Sequence, residues 1–192
     1  MGGRTELHRR IRQRNLREIQ IMKVALIVAQ FLKSKGIKHV FAISGGSSLH
    51  LIHGIADTEG IDYVCNQHEQ ACGFAADAYS RIAGLGCAMA TSGPGFTNLL
   101  TPIAVSYADS IPVLYIVGNT ATYRLETYGT RQIGFQYTPT VEICRPITKY
   151  AVTVTDGKNV LSELSTALHH ATTGRQGPVL IDIPDDVQRM DI

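Results

Sequence analysis

Apolar residues follow two alternating spacings along the chain. Residues 23–35 place them at the three-to-four-residue spacing of an amphipathic helix. Short runs rich in β-branched residues, such as HVFAI at 39–43, are typical of strands, and PVLYIVG at 112–118 is almost wholly apolar, as in a parallel strand buried on both faces. The alternation predicts six strands, at 39–43, 61–65, 86–92, 112–118, 148–154 and 177–184.

Helical segments between these strands predict an α/β fold, with a doubly wound, six-stranded and mostly parallel sheet that carries helices on both faces. One domain would extend from residue 22 to residue 184. Residues 1–21 hold six of the eighteen basic side chains and two of the sixteen acidic ones, and we interpret them as an arginine-rich extension, disordered or non-native. Residues 185–192 are interpreted as the start of a linker or tail.

Charge and composition exclude several classes of partner. Outside residues 1–21 the chain has twelve basic and fourteen acidic side chains, which predicts no nucleic-acid partner. No apolar run approaches the ~20 residues of a membrane span. The four cysteines lack CxxC spacing and lie in apolar surroundings, so we expect core residues in a reducing compartment, hence a cytoplasmic protein: Cys65, Cys72, Cys87 and Cys144.

Three loops at successive strand ends could carry chemistry: SGG at 44–46, NQHEQ at 66–70 and TSGPGFTN at 91–98. Ligands of open parallel sheets bind beyond the carboxyl ends of the strands, where glycine allows close approach of the backbone. Each loop alone is more typical of a tight turn, but the series indicates a ligand site. The chain has neither GxGxxG nor GxxxxGK[ST], so a usual dinucleotide fold or a P-loop is not expected.

Glu69 lies in the first turn of an alanine-rich helix that is suited to burial. Glutamate is seldom fully buried without a partner. It is therefore either a first-turn acid that complements the helix dipole or a group that faces a ligand. The residues alone leave both interpretations open.

The ordered motifs decide between these interpretations. The chain contains, in sequence, GIKHVF, SGG, HEQACGFAADAYSR, TSGPGFTN, DSIP, GFQ, RPITK and GPVLIDIP. This series resembles the pyrimidine-binding (PYR) domain of thiamine-diphosphate enzymes, most closely the acetolactate synthase-like branch, over residues 22–184. The resemblance implies thiamine diphosphate as cofactor and decarboxylation or carboligation of 2-oxo acids as the reaction.

By this resemblance Glu69 is the catalytic residue and contacts N1′ of the aminopyrimidine. A carboxyl group that shares its proton there favours the 4′-imino tautomer, whose nitrogen can take the thiazolium proton. Such a carboxyl needs a raised pKa, which burial among Ala71, Cys72 and Ala75 could supply.

The resemblance also assigns roles to other residues. The pyrimidine ring would lie between the first and third loops and contact Ser44, Gly45, Gly46, Thr91, Pro94 and Asn98. Phe135, Gln136 and Lys149 would lie on the substrate side, although a solvated strand-end lysine is an equal alternative for Lys149. Ser44 and Tyr137 depart from the family pattern, which usually has proline and glutamate there, so 2-oxo acid chemistry is a safer expectation than the acetolactate reaction.

The diphosphate half of the cofactor site has no counterpart in the sequence. Family members hold the diphosphate and its Mg²⁺ with a GDG motif and a downstream asparagine pair, and TDG at 155–157 is only a partial match. We therefore expect an inactive chain that forms a homodimer or higher oligomer and takes Mg²⁺ through a missing domain or a partner chain, with FAD open as a further cofactor. The chain would be a truncated enzyme or a small subunit of a split 2-oxo acid decarboxylase. A non-catalytic interaction module and a flavodoxin-like domain are the alternatives.

Overall fold

A computed structural model describes residues 21–125 and 130–192 of the 192-residue chain. The predicted extension at 1–21 lies outside the described residues, except for Ile21. The remaining elements follow the predicted alternation of helices and strands closely.

The six strands form one sheet in which every pairing is parallel. Their order across the sheet is β2-β1-β3-β4-β6-β5. The strands are β1 (His39–Ala42), β2 (Asp62–Cys65), β3 (Gly86–Ala90), β4 (Val113–Asn119), β5 (Tyr150–Thr153) and β6 (Val179–Pro184). The predicted doubly wound α/β fold is confirmed, and the carboxyl ends of β2, β1, β3 and β4 lie side by side along one edge.

Nine α-helices lie in the described residues: α1 (Val24–Ser34), α2 (Leu49–Ala56), α3 (Glu69–Ala83), α4 (Pro94–Thr97), α5 (Leu100–Asp109), α6 (Thr122–Leu125), α7 (Thr140–Cys144), α8 (Val160–Thr172) and α9 (Asp185–Gln188). Short 3₁₀ turns occur at Gly46–Ser48, Arg145–Ile147 and Gly157–Asn159. The helix predicted after the third loop is divided into α4 and α5. Within the described part of the chain, no helix combines the length and apolar content that a bilayer span requires.

Two hydrophobic clusters cover the two faces of the sheet. On one face, α1, α2 and α8 pack over β4 side chains such as Leu114 and Ile116. On the other face, α3, α4, α5 and α7 pack over Tyr115 and its neighbours. All seven residues of β4 are buried, as expected for a central strand between two helical layers.

The small residues of α3 explain why this helix lies so close to the sheet. A Cβ on Gly73 would clash with the ring of Pro102 in α5, and one on Gly86 in β3 would clash with the backbone carbonyl of Ala76. The helix ends at Gly84, whose φ of 87° is the left-handed conformation of a glycine C-cap. Close packing therefore fixes the direction in which the first turn of α3, with Glu69, points.

Two parts of the chain differ from expectation in their packing. All four residues of β2 are exposed at the sheet edge, so the prediction that every cysteine is a core residue is wrong for Cys65. Residues 185–192 pack on the domain: Val187 and Gln188 are fully buried, and Met22 exchanges two backbone hydrogen bonds with Ile192. The packed unit therefore continues beyond Pro184.

Candidate functional site

Glu69 and Asn98 meet at the carboxyl edge of the sheet. Glu69 is the first residue of α3, directly after the loop that leaves β2, and Asn98 follows α4 at the exit of β3. The Asn98 side chain donates a hydrogen bond from Nδ2 to Oε2 of Glu69 at 2.8 Å. The Glu69 side chain is half-buried, and of the three residues expected to bury it only Cys72 is itself buried. Among the described residues, the carboxyl group thus has a hydrogen-bond partner at Oε2 and none at Oε1.

Gly95 lies beside that second oxygen and against Thr91. A Cβ on Gly95 would lie 3.5 Å from Oε1 of Glu69 and 2.7 Å from Cγ2 of Thr91. Pro94 precedes it as the first residue of α4, where the missing N–H of proline costs no helical hydrogen bond. Glycine at position 95 therefore lets the third loop pack on Thr91 without placing a side chain beside Oε1. A bare backbone beside a carboxylate oxygen is compatible with a flat ring that contacts that oxygen.

Thr91 joins this space to the first loop. A Cβ on Gly45 would lie 2.5 Å from Cβ of Thr91, and the backbone N–H of Ser47 donates to Oγ1 of Thr91 at 3.1 Å. The hydroxyl groups of Ser47 and Ser92 are 3.1 Å apart. Ser44 and Gly46 are exposed at the mouth of the same loop. The structure therefore brings together the first, second and third predicted loops.

The loop at residues 134–137 lies against the third of these loops. Gly93 has a φ of 61°, and a Cβ there would lie 2.7 Å from the carbonyl oxygen of Gln136. Gln136 itself has a φ of 56°, which is uncommon for a residue other than glycine. Phe135 next to it is 75% exposed. A large apolar side chain and a strained backbone are thus presented beside the glycine-rich turn.

Lys149 lies elsewhere. It precedes β5 and is therefore at the amino edge of the sheet, opposite to the edge that carries Glu69. Its Nζ donates to the carbonyl oxygen of Thr173 at 2.6 Å, one residue beyond the end of α8. The structure does not bring Lys149 together with the other predicted site residues.

The histidines near the site make local contacts. Nδ1 of His68 accepts from the backbone N–H of Gln70 at 3.1 Å and so caps α3. His50 Nε2 is 3.6 Å from Asp185 Oδ1, and the His39 ring packs edge-on against Tyr79. Within the described ranges no group of three or more histidine, cysteine or acidic side chains is arranged to hold a metal ion.

Cys72 lies one turn after Glu69 in α3 and faces inward. Burial raises the pKa of the Cys72 thiol, hydrogen bonding by Asn66 partly offsets this effect, and the Glu69 carboxylate raises the pKa further. The Asn66 Nδ2–Sγ distance is 3.5 Å. The thiol is therefore a neutral neighbour of Glu69 and a poor nucleophile.

A buried polar cluster under the 134–137 loop was not predicted from the sequence. Asp182 in β6 accepts a hydrogen bond at Oδ2 from Asn119 Nδ2 at 2.7 Å and from Thr153 Oγ1 at 3.2 Å. Burial raises the pKa of Asp182 to about 7, against the lowering effect of these hydrogen bonds. The signal was a single acid in the apolar run GPVLIDIP, but nothing in the sequence indicates what it faces.

Comparison with known proteins points to one family. The family described as "Thiamine pyrophosphate enzyme, N-terminal TPP binding domain" matches residues 22–138. The chain is 37% identical over 163 residues to the acetolactate synthase large subunit of Haemophilus influenzae, which covers 84% of this chain and 28% of that protein. It is 38% identical over 171 residues to the chloroplastic acetolactate synthase of Arabidopsis thaliana, covering 88% and 25%. An acetolactate synthase of Mycobacterium bovis is 38% identical over 170 residues, covering 88% and 27%.

The chain spans about a quarter of the length of these relatives. The family match includes the three glycine-rich or acidic loops and the 134–137 loop, and it ends before Lys149. The match therefore includes the residues that the structure brings together at the carboxyl edge.

Proposed function

We propose that this chain binds the aminopyrimidine half of thiamine diphosphate. The chain belongs to the thiamine pyrophosphate enzyme family and matches its N-terminal TPP-binding domain. The observation that carries the proposal is the Glu69 carboxyl group, which accepts from Asn98 at Oε2 and has no hydrogen-bond partner among the described residues at Oε1, beside Gly95. A carboxyl group fixed at one oxygen can share a proton with a ring nitrogen at the other. Glu69 would therefore face N1′ of the aminopyrimidine.

The residues around Glu69 shape the space for a flat heterocycle. Gly45 and Gly95 pack on Thr91 and leave no side chain of their own between the loops. Their backbone can approach a ring more closely than that of any other residue type. Ser44, Gly46 and Pro94 would border this space, and Asn98 would hold the Glu69 carboxyl in the orientation that proton sharing requires.

The proposed reaction is that of an acetolactate synthase-like enzyme acting on 2-oxo acids. Bound thiamine diphosphate supplies a thiazolium electron sink, which decarboxylation and carboligation of 2-oxo acids require. In this chain Glu69 would hold the proton at N1′, and Phe135 and Gln136 would border the substrate. The named relatives are acetolactate synthases, which supports this substrate class.

The diphosphate and Mg²⁺ would be held by residues outside these 192. The sequence has no GDG motif with a downstream asparagine pair. A site divided between two domains or two chains also explains why Glu69 is only half-buried here. The proposal therefore includes a partner domain that closes over the carboxyl edge, in a homodimer or higher oligomer.

A binding experiment with thiamine tests the proposal without the partner domain. Thiamine lacks the diphosphate, so its affinity reports the pyrimidine half of the site. We expect Glu69→Gln to weaken thiamine binding by about tenfold or more, since hydrogen bonds to charged groups contribute about 1.5–3 kcal/mol. The measurement is a titration followed by NMR chemical shifts of the 192-residue chain.

Glu59→Gln is the matched control, because Glu59 is an exposed residue of the loop between α2 and β2. It loses the same charge and should bind thiamine like the unmodified chain. Equal affinity of the Glu69→Gln and Glu59→Gln chains would remove Glu69 from the site. Shift changes confined to the amino edge of the sheet would contradict the proposed location.

A further inference from the structure

Asp182 lies at the centre of a buried polar cluster that connects β4, β5, β6 and α7. Its Oδ2 accepts from Asn119 in β4 and from Thr153 in β5. Asn119 Nδ2 also lies 3.4 Å from Oγ1 of Thr140, the first residue of α7. Asp182 lies two residues after buried Leu180 and therefore on the same face of β6, the face that α7 covers. The cluster therefore ties the start of α7 to the middle of the sheet.

Two polar atoms of this region are buried without a partner in the described part of the chain: Oδ1 of Asp182 and Oγ1 of Thr138. An unpartnered buried oxygen is costly when it carries a charge, and the cost falls when a proton occupies it. Thr138 lies two residues before Thr140, whose hydroxyl donates to the Thr138 carbonyl at 3.2 Å. Both unpartnered atoms thus lie where the segment that precedes α7 packs on the sheet.

That segment is the 134–137 loop with Gln136. A Cβ on Gly134 would lie 2.6 Å from Oγ1 of Thr120, directly after β4, and Gln136 abuts Gly93. The backbone N–H of Tyr137 donates to the Gly134 carbonyl at 3.1 Å. A left-handed Gln136 persists only where its surroundings hold it. Those surroundings are the Gly93 turn on one side and the attachment through Thr140 on the other.

We propose that Asp182 is a positioning residue that links the 134–137 loop to the sheet through Asn119 and Thr140 and so keeps the loop against the Gly93 turn. The closed packing over Asp182 is most stable when its carboxyl group is protonated, because burial of the charge outweighs the stronger hydrogen bonds that a carboxylate accepts. The role of the loop at a substrate site rests on the proposed function. The proton-dependent hold rests on the buried cluster alone. The two parts can therefore fail separately.

The direction of the pH effect follows from burial. Burial raises the pKa of Asp182 from 3.8 to about 7, and the Glu142 carboxylate on α7 adds to the rise. Tyr137 is the other titratable group that faces Asp182, and burial, Glu142 and Asp182 all raise its pKa. When α7 and the loop lift off, water reaches Asp182 and its pKa returns toward the ordinary value. Opening therefore releases a proton, and the open fraction grows with pH up to about 7.

Hydrogen exchange of the 192-residue chain measures this opening. The reporters are the Tyr137 and Thr140 amides, whose acceptors are the carbonyls of Gly134 and Thr138. We expect their protection factors to fall roughly tenfold per pH unit between pH 5 and 7 and to level off above that range. Asp182→Asn keeps a neutral side chain of the same shape and should show no such slope.

The control is Asp57→Asn, an exposed carboxylate that is 3.4 Å from His53 and far from the loop in sequence. It should keep the slope of the unmodified chain. A flat profile in the unmodified chain, or an equal slope in Asp182→Asn, overturns the inference and leaves thiamine binding by Glu69 untouched. Should Asp182→Asn not fold, the profile of the unmodified chain still decides. Loss of the thiamine site with the slope retained would contradict the proposed function alone.

Discussion

At the scale of single residues, the site depends on pairs that are distant in sequence. Glu69 and Asn98 are 29 positions apart and meet because β2 and β3 end at the same edge. In the proposed enzyme, a partner domain would complete the burial of Glu69, which this chain leaves partial.

Two adjacent glycines test how tightly the loops are packed. A Cβ on Gly45 would lie 2.5 Å from Cβ of Thr91, whereas one on Gly46 would meet no atom within 4 Å. Gly45→Ala should therefore lower the free energy of unfolding by about 1–3 kcal/mol, because the stiff Thr91 side chain must move. Gly46→Ala should change it by less than about 0.5 kcal/mol. Urea denaturation measures the free energy of unfolding of both variants. Equal values would show that the first and third loops can move apart enough to accommodate a Cβ at position 45.

At the scale of elements, the exposure of the outermost strand, β2, was harder to predict than the existence of the six strands. IDYVC at 61–65 has the composition of a half-buried strand, yet β2 lies at the edge with every residue exposed. Position within a sheet depends on which strands pair, and the pattern of one strand does not contain that information. The two central strands, β3 and β4, were predictable because burial on both faces demands continuous apolar residues.

The edge position of β2 predicts selective thiol chemistry. Cys65 is exposed, whereas burial raises the pKa of the Cys144 thiol to about 12 and that of Cys87 even more. At pH 7 a maleimide should therefore label one thiol rapidly and the other three only after unfolding. Mass spectrometry of the labelled chain measures this, and Cys65→Ser is the control that should abolish rapid labelling. Rapid labelling of a second thiol in the folded chain would contradict the packing of α3 or α7.

The limits of sequence analysis at the site have a similar origin. The motif order predicted the three loops around Glu69, and the structure places those loops together. The same motif order left Lys149 as a substrate-side residue or a solvated strand-end lysine, and Lys149 precedes β5 and so lies at the opposite edge from Glu69. The Asp182 cluster was missed because its partners come from β4, β5 and α7, and hydrogen bonds between distant segments leave no local pattern.

At the scale of the whole molecule, the C-terminal residues belong to the packed domain. Gln188 Nε2 donates to the carbonyl oxygens of Ser47 and Ile183, both at 2.7 Å, and Val187 lies in the main hydrophobic cluster. Helix α9 is therefore attached to the first loop of the candidate site. Whether a linker begins after it stays a prediction.

A pair of identical substitutions tests this packing. Val187→Ala removes two methyl groups from a fully buried position and should lower the free energy of unfolding by about 1–3 kcal/mol. Val64→Ala makes the same change on the exposed edge strand β2 and should cost about 0.5 kcal/mol or less. Thermal or urea unfolding measures both. An equal loss of unfolding free energy in the two variants would mean that residues 185–192 do not pack on the domain.

The pairing of Met22 with Ile192 has a topological consequence. Each residue donates its backbone N–H to the other's carbonyl oxygen at 3.0 Å, and Lys23 forms an ion pair with Asp191 beside them at 2.8 Å. The path of the backbone through the domain is thus nearly a closed ring. A short bridge between these two residues would let the ring be cut at the exposed turn at residues 59–60, and the sheet would keep its strand order. The fold therefore should not depend on which residue comes first in the chain.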